Sequence, residues 1–421
     1  RRYYLSDVEQ DIWMNKKRWI GAAAVFFGLL LAALGVFILG FTDRADDERE
    51  TEIRQAETAA KPEIYIEHDP LAEEPEPGMK ETEASEEDSA SGDEPVRMVF
   101  AGDILLSDHV LNAYEKSGSL SGVLDPGFQS VIHESDIFMA NQEFPFSNRG
   151  TAAEDKQFTF RLPPERVRIF RELGLDLVTL ANNHAFDFGM DALLDTCDTL
   201  DQAGIYHVGA GRNLEEACKP VIITEKGESI GFLGASRVIP VGSWNASASK
   251  PGMLTTYDPS LLLEQIDHLK ETCDYVVVYV HWGIEKKDRP EEYQRSLGKQ
   301  YIDAGADLVI GSHPHVLQGI EYYKGKPIVY SLGNFIFGSS IPKTALLAAE
   351  WDGETTRLSL IPGTSSAGYT RMLTDEKGKA EFYDYMTGLS FGAAVDENGR
   401  VSEIRPEEPL QQDPSLQPDE P

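Results

Sequence analysis

Seven residues of this 421-residue chain have the types and positions needed to hold a divalent cation: Asp103, Glu143, Asn183, His184, His281, His313 and His315. Imidazole nitrogen suits Zn and Fe, whereas carboxylate and amide oxygens favour harder ions such as Mn. A mixed N/O set without thiolate therefore points to one or two ions of Mn, Fe or Zn at a hydrolytic centre. Two ions ~3.5–4 Å apart would hold a water between them and polarise a phosphoryl or similar oxygen. Glu143 is the candidate to bridge them. The run His313-Pro314-His315 is the most specific element, since two imidazoles flanking a rigid proline can present both rings to one centre. Asn141, Asn182, Ser312 and Asn334 stand close by in sequence and are expected to support the ligands; Arg237 and Lys286 are expected to meet substrate.

Each of these clusters ends an apolar run. "VRMVFAGD" reaches Asp103, "DIFMANQE" reaches Asn141 and Glu143, and "LDLVTLANNH" reaches Asn182, Asn183 and His184. "DYVVVYVHWG" reaches His281, "ADLVIGSHPH" reaches Ser312, His313 and His315, and "PIVYSLGNF" reaches Asn334. Between them lie amphipathic segments at about 163–173, 190–203, 259–272 and 291–304, three of them closed by Gly174, Gly204 and Gly305. Short buried strands alternating with helices predict an α/β domain over 96–400, with the polar residues gathered at the carboxyl ends of its strands. "LGLDLVTLANNH" and "AGADLVIGSHPH" echo one another and read as two helix–strand units serving the same sheet edge. On neighbouring parallel strands ~4.8 Å apart, such side chains would meet around one ion at ligand distances of about 2.0–2.2 Å.

The rest of the chain has other duties. Residues 19–41, "WIGAAAVFFGLLLAALGVFILGF", carry no charge and, at about 1.5 Å per residue, are long enough to span a hydrocarbon core ~30 Å thick. Lys16, Lys17 and Arg18 before them predict a cytoplasmic leader (1–18), a single transmembrane anchor in the cell membrane, and an extracellular remainder. Residues 42–95 hold 20 acidic and 5 basic side chains within 43–95 and too few apolar ones to fold; they are expected to form a disordered, extended acidic stalk, and 401–421 a disordered acidic tail. The net charge of −33, with no Lys/Arg stripe, excludes nucleic acid as a partner. Cys197, Cys218 and Cys273 lack metal-type spacing and are expected as free, buried hydrophobes.

"FAGDILLSD", "NQEFPFS", "LANNHAFDFG", "YVHWGIE" and "GADLVIGSHPHVLQGIEYYKGKPIVYSLGNFIFG" resemble, in order and spacing, the CapA family of capsule and poly-γ-glutamate biosynthesis proteins, from about 96 to 340. That family looks like a branch of the calcineurin-like metallophosphoesterases, which implies a sandwich of mixed β-sheets flanked by helices. The resemblance implies metal ligands at Asp103, Glu143, Asn183, His281, His313 and His315, with His184 near the leaving group. Where the phosphoesterase pattern has Asp-x-His, this chain has Asp103-Ile104-Leu105, so one ligand of one metal is missing and unequal occupancy is expected.

Two functions follow. In the first, the domain is a metal-dependent phosphoesterase or other hydrolase at the cell surface, with a polarised water as nucleophile and His184 exchanging a proton. In the second, it is a subunit of a poly-γ-glutamate synthesis, export or anchoring complex, gripping that or another anionic polymer beside membrane synthase or export subunits. Arg237, Lys286, Lys287 and Arg289 would supply the positive charge such a polymer needs.

Overall fold

The structure, a computed structural model, describes residues 94–154 and 156–404. The expected leader, anchor and tail from 405, and the stalk up to 93, lie outside the described residues. Among the described residues no helix is long and apolar enough to cross a membrane. The expected domain end at 400 needs correction. Arg400–Glu403 form a strand paired with Thr356–Ser366, with Val401 buried, so 401–403 belong to the domain and not to the tail. One inward-facing valine in a polar run is too little pattern to be read as a strand from sequence.

Two mixed sheets pack face to face. In the ten-stranded first sheet, Val96–Ile104, Ile137–Gln142, Leu177–Thr179 and Tyr206–Val208 run parallel in that order. The long antiparallel hairpin Ile341–Trp351 and Thr356–Ser366 continues it on the other side of Val96–Ile104. In the six-stranded second sheet, Glu228–Ser236, Tyr275–His281, Leu308–Ser312 and Lys326–Val329 are parallel, with antiparallel edge strands Val221–Glu225 and Ile320–Tyr323.

Strand alternation sorts the side chains into three layers. Met98 and Phe100 face Val277, Tyr279, Leu308 and Ile310 between the sheets. Val99 and Ala101 face the helices Asp108–Ser117, Pro126–His133 and Met190–Ala203. Val276, Val278 and Val280 face Ser260–Lys270 and Glu292–Asp303. Strands buried on both faces need unbroken apolar runs, which is why these segments read as they do. The four expected helices are present within a few residues of their expected bounds, the first as a short 3-10 turn, Pro164–Val167, leading into Arg168–Leu173.

An aspartate just before a strand sets its register against the neighbour. Asp176 donates its N–H to the Phe138 carbonyl (3.1 Å) and accepts the Phe138 N–H on its side chain (2.8 Å). Asp307 does the same with Val276, Asp274 with Ser229 and Asp136 with Arg97. The echo in the sequence is therefore structural, but its two units sit in different sheets: Leu177–Thr179 in the first, Leu308–Ser312 in the second. The expectation of a single shared edge is wrong. The carboxyl ends of both sheets meet, and Tyr279 ties them by donating its hydroxyl to the Ala101 carbonyl at 2.8 Å.

Candidate metal centre

Asp103 is placed by a close backbone approach. A Cβ on Gly102 would stand 1.8 Å from the Gly333 carbonyl oxygen, so glycine is required there. The Asp103 N–H donates to that oxygen at 2.8 Å, and Asp103 pairs in register with Asn334 on one side and Asn141 on the other. Glu143 follows the end of Ile137–Gln142, its N–H donating to the Ile104 carbonyl at 3.0 Å. His281 is the last residue of its strand. His313 and His315 lie just past Ser312 with left-handed φ of 99° and 56°. Strand alternation does not turn both rings to one centre, as their spacing of two had suggested. The reversed backbone sets the two rings 5.9 Å apart, His313 against His281 and His315 against Asp103, at a cost of order 1–3 kcal/mol per residue that the surrounding structure must offset.

These residues converge. Ligand atoms of Asp103, Glu143 and His315 all lie within 4.8 Å of one another. His315 Nδ1 is 3.4 Å from Asp103 Oδ2 and 3.9 Å from Glu143 Oε2. On the other side of Glu143, Oε1 lies 3.5 Å from His281 Nε2, which is 2.7 Å from Asn183 Oδ1 and 3.1 Å from His313 Nδ1. Glu143 thus presents one oxygen to each of two ligand groups, as a bridging carboxylate would.

Asp103 Oδ2 and both oxygens of Glu143 are buried, and none accepts a hydrogen bond among the described residues. Buried carboxylate oxygens without donors are costly, and a cation is the partner such a pair lacks. The residues present fit a divalent ion.

The electrostatics agree. Burial and the neighbouring Asp103 carboxylate raise Glu143 well above the carboxylate range. Burial and the rings of His313 and His315 push His281 well below the usual imidazole value, and burial with His315 pushes His313 down to about 4. His315 is the exception. Burial opposes its proton, but Glu143 and Asp103 raise it to about 10. Two imidazoles are therefore neutral and ready to ligate, while the third carries a proton that a metal would replace.

Residues 97–339 match the family described as bacterial capsule synthesis protein PGA_cap. The chain belongs to this family. It is 32% identical over 308 residues to the capsule biosynthesis protein CapA of Bacillus anthracis, covering 70% of this chain and 73% of that protein. It is 34% identical over 256 residues to the PGA biosynthesis protein CapA of Bacillus subtilis, covering 60% and 66%. Among solved structures it is similar to the NAD nucleotidase of Haemophilus influenzae, at 12% identity and TM-score 0.36 over 70% of this chain and 63% of that one.

The supporting asparagines hold this PGA_cap centre together. Asn141 Nδ2 donates to Asp103 Oδ1 at 2.8 Å and lies 3.3 Å from His281 Nδ1. Asn182 Nδ2 donates to Asn141 Oδ1 (2.9 Å), and Ser312 Oγ lies 3.0 Å from His281 Nδ1. Asn334 Oδ1 lies 2.7 Å from His315 Nδ1. Leu105 packs in the core with residues of the first-sheet helices and supplies no ligand; Asn334 stands in register beside Asp103.

Two further residues escaped the sequence reading. Asp187 Oδ2 lies 2.8 Å from His184 Nδ1, and the Lys156 ammonium touches His184 Nδ1, the Asn183 carbonyl and Asp187. Burial lowers His184 and Lys156 alike. The His184–Asp187 spacing of three was a readable signal; Lys156, in an irregular loop, gave none. Arg237 is not part of the cluster. Its backbone N–H donates to the His281 carbonyl, but its guanidinium donates to the Thr256 carbonyl at 2.5 Å and lies over Tyr257. Lys286 lines a cavity with His315 and Asn334.

Proposed function

We propose that this chain acts in the synthesis, export or anchoring of poly-γ-glutamate at the cell surface, through a divalent-metal centre in a membrane-anchored extracellular domain. The observation that carries this reading is the buried, undonated set of Asp103 and Glu143 oxygens beside His281 and His315, in a chain of the PGA_cap family. The names of the two Bacillus relatives supply the biological setting. Asp103, Glu143 and His315 would hold one ion, and Glu143, Asn183, His281 and His313 a second, of Mn, Fe or Zn.

Bound there, the metal supplies a Lewis acid for an anionic oxygen of the substrate. The chain's own residues do the rest. The asparagine relay fixes Asp103 and His281. Asp187 and Lys156 occupy Nδ1 of His184, which leaves Nε2 to exchange a proton. That relay is the observation favouring a second reading, a metal-dependent phosphoesterase or other hydrolase.

The test is metal analysis of the purified full chain, followed by incubation of the Mn-, Fe- and Zn-loaded forms with poly-γ-glutamate and with p-nitrophenyl phosphate. Stoichiometric metal with binding or processing of the polymer supports the first reading. Turnover of the phosphoester alone supports the second. A chain that holds no metal under any loading defeats both.

A further inference from the structure

A cavity of about 300 Å³ opens directly beside the metal cluster. His315 and Asn334 form its inner end. Its rim carries two ammonium groups, Lys286 and Lys343, and its wall includes Ile341 and the ring of Tyr385. The two lysines come from different parts of the chain. Lys286 follows His281 in a left-handed turn (φ 62°), held by donation of its N–H to the Pro314 carbonyl at 2.8 Å. Lys343 lies on Ile341–Trp351 and sits 4.6 Å from the Tyr385 ring centroid. Both Lys343 and Tyr385 lie beyond residue 339, where the family match ends.

These two lysines have no acidic partner among the described residues. Several other lysines of the domain are paired with acids: Lys287 with Glu291, Lys299 with Glu321, Lys324 with Asp303 and Lys326 with Asp307. Among the described residues, neither Lys286 nor Lys343 forms an ion pair, although the chain carries a net charge of −33. Two cations without acidic partners over an apolar wall make a binding surface for repeated anionic groups on short aliphatic stems.

We infer that this cavity is the polymer subsite of the metal centre, in which Lys286 and Lys343 pair with two carboxylates of a glutamyl chain whose methylene stems lie on Ile341 and Tyr385. The inference rests on the proposed role in poly-γ-glutamate handling and adds where, and by which residues, the polymer is gripped. A phosphate monoester could pair with both lysines but has no aliphatic stems spaced along a chain to lie on Ile341 and Tyr385, which the oligomer has.

The experiment is a titration of the full chain in detergent with a labelled γ-linked glutamate oligomer of about eight residues, its per-methyl ester, and inorganic phosphate as competitor. The unaltered chain binds the oligomer and not the ester. Lys286→Ala and Lys343→Ala each weaken binding about three- to fivefold, as expected for solvent-exposed ion pairs. The double Lys→Glu variant abolishes it, and added salt weakens it throughout. Unchanged affinity in the double variant, equal binding of the ester, or one-for-one displacement by phosphate overturns the inference. Metal content is measured on every variant. Lysine variants that lose oligomer while keeping metal support a separate subsite; if they lose both together, the subsite is overturned. His315→Ala, measured alongside, separates the two readings, because lysine-dependent oligomer binding that survives loss of metal leaves the subsite standing and removes the metal from its function.

Discussion

Metal uptake should be controlled by the proton on His315. That ring sits between Asp103 and Glu143, which raise it from 6.5 to about 10. A ligating imidazole must be neutral, so loading at pH 7 has to expel the proton. The three pH units between 7 and about 10 correspond to about 4 kcal/mol at ~1.36 kcal/mol each. His315 alone should therefore make apparent metal affinity rise close to tenfold per pH unit from 7 to 9, and Glu143, also raised by burial and Asp103, steepens the rise wherever it too must lose a proton. His281 and His313 add nothing to this slope, since both are already neutral in that range.

The sign for stability is opposite. A histidine whose folded value is raised stabilises the metal-free domain fully below 6.5, and that stability is lost as pH rises towards about 10. The metal-free chain should melt several degrees lower at pH 9 than at pH 7, and the metal-loaded chain should not. Isothermal titration of Mn or Zn in buffers of different ionisation enthalpy reads the released proton directly. His313→Ala should weaken binding yet keep the pH slope, whereas His315→Ala should lower the slope by about one proton. Uptake that is flat from pH 7 to 9 with no proton release would refute His315 as a ligand and leave it as a buried counter-ion to the two carboxylates.

Glu143→Gln should lower metal content at both ligand groups, as read by elemental analysis. It should also make the metal-free chain more stable to urea at pH 9 by about 1–3 kcal/mol, because the burial of a charged carboxylate and its repulsion from Asp103 together outweigh its attraction to His315; a loss of metal-free stability would contradict this. Lys156→Ala should move the His184 titration upward by NMR, because the lysine charge opposes protonation of that ring; an unmoved curve would show that Lys156 only packs there. Deleting residues 1–41 should shift the chain from the membrane fraction to the soluble fraction, and unchanged fractionation would remove the anchor reading.

The strands and their polar ends were legible because parallel strands buried on both faces demand unbroken apolar runs, and the runs stop where the site begins. "VVVYVH" and "LVIGSHPH" could be read in that way without knowing their neighbours. Which sheet each strand joins was not legible. The register aspartates Asp136, Asp176, Asp274 and Asp307 act through backbone groups of strands about 30 to 45 residues away, and nothing local distinguishes a strand of the first sheet from one of the second. The helix Glu376–Leu389, which closes one end of the core with Phe382 and Met386, was likewise unforeseen.

At the site, residue types were legible but arrangement was not. His313 and His315 looked like a strand pair, yet their left-handed backbone is set by tertiary packing around Pro314, whose carbonyl accepts from Lys286. Asn334 became meaningful only through its register beside Asp103, and Lys343 only through a hairpin that lies outside the family match. These features share a physical cost. Two left-handed histidines and three undonated carboxylate oxygens occur within a few ångströms. Each opposes folding, and the apolar layer between the sheets must outweigh them. A divalent cation reverses much of that cost by supplying the missing partner for the oxygens, a gain set against the expulsion of the His315 proton. A scaffold that only presented a surface would need none of these strained elements, so their concentration here is the strongest physical argument that the domain works with a metal bound.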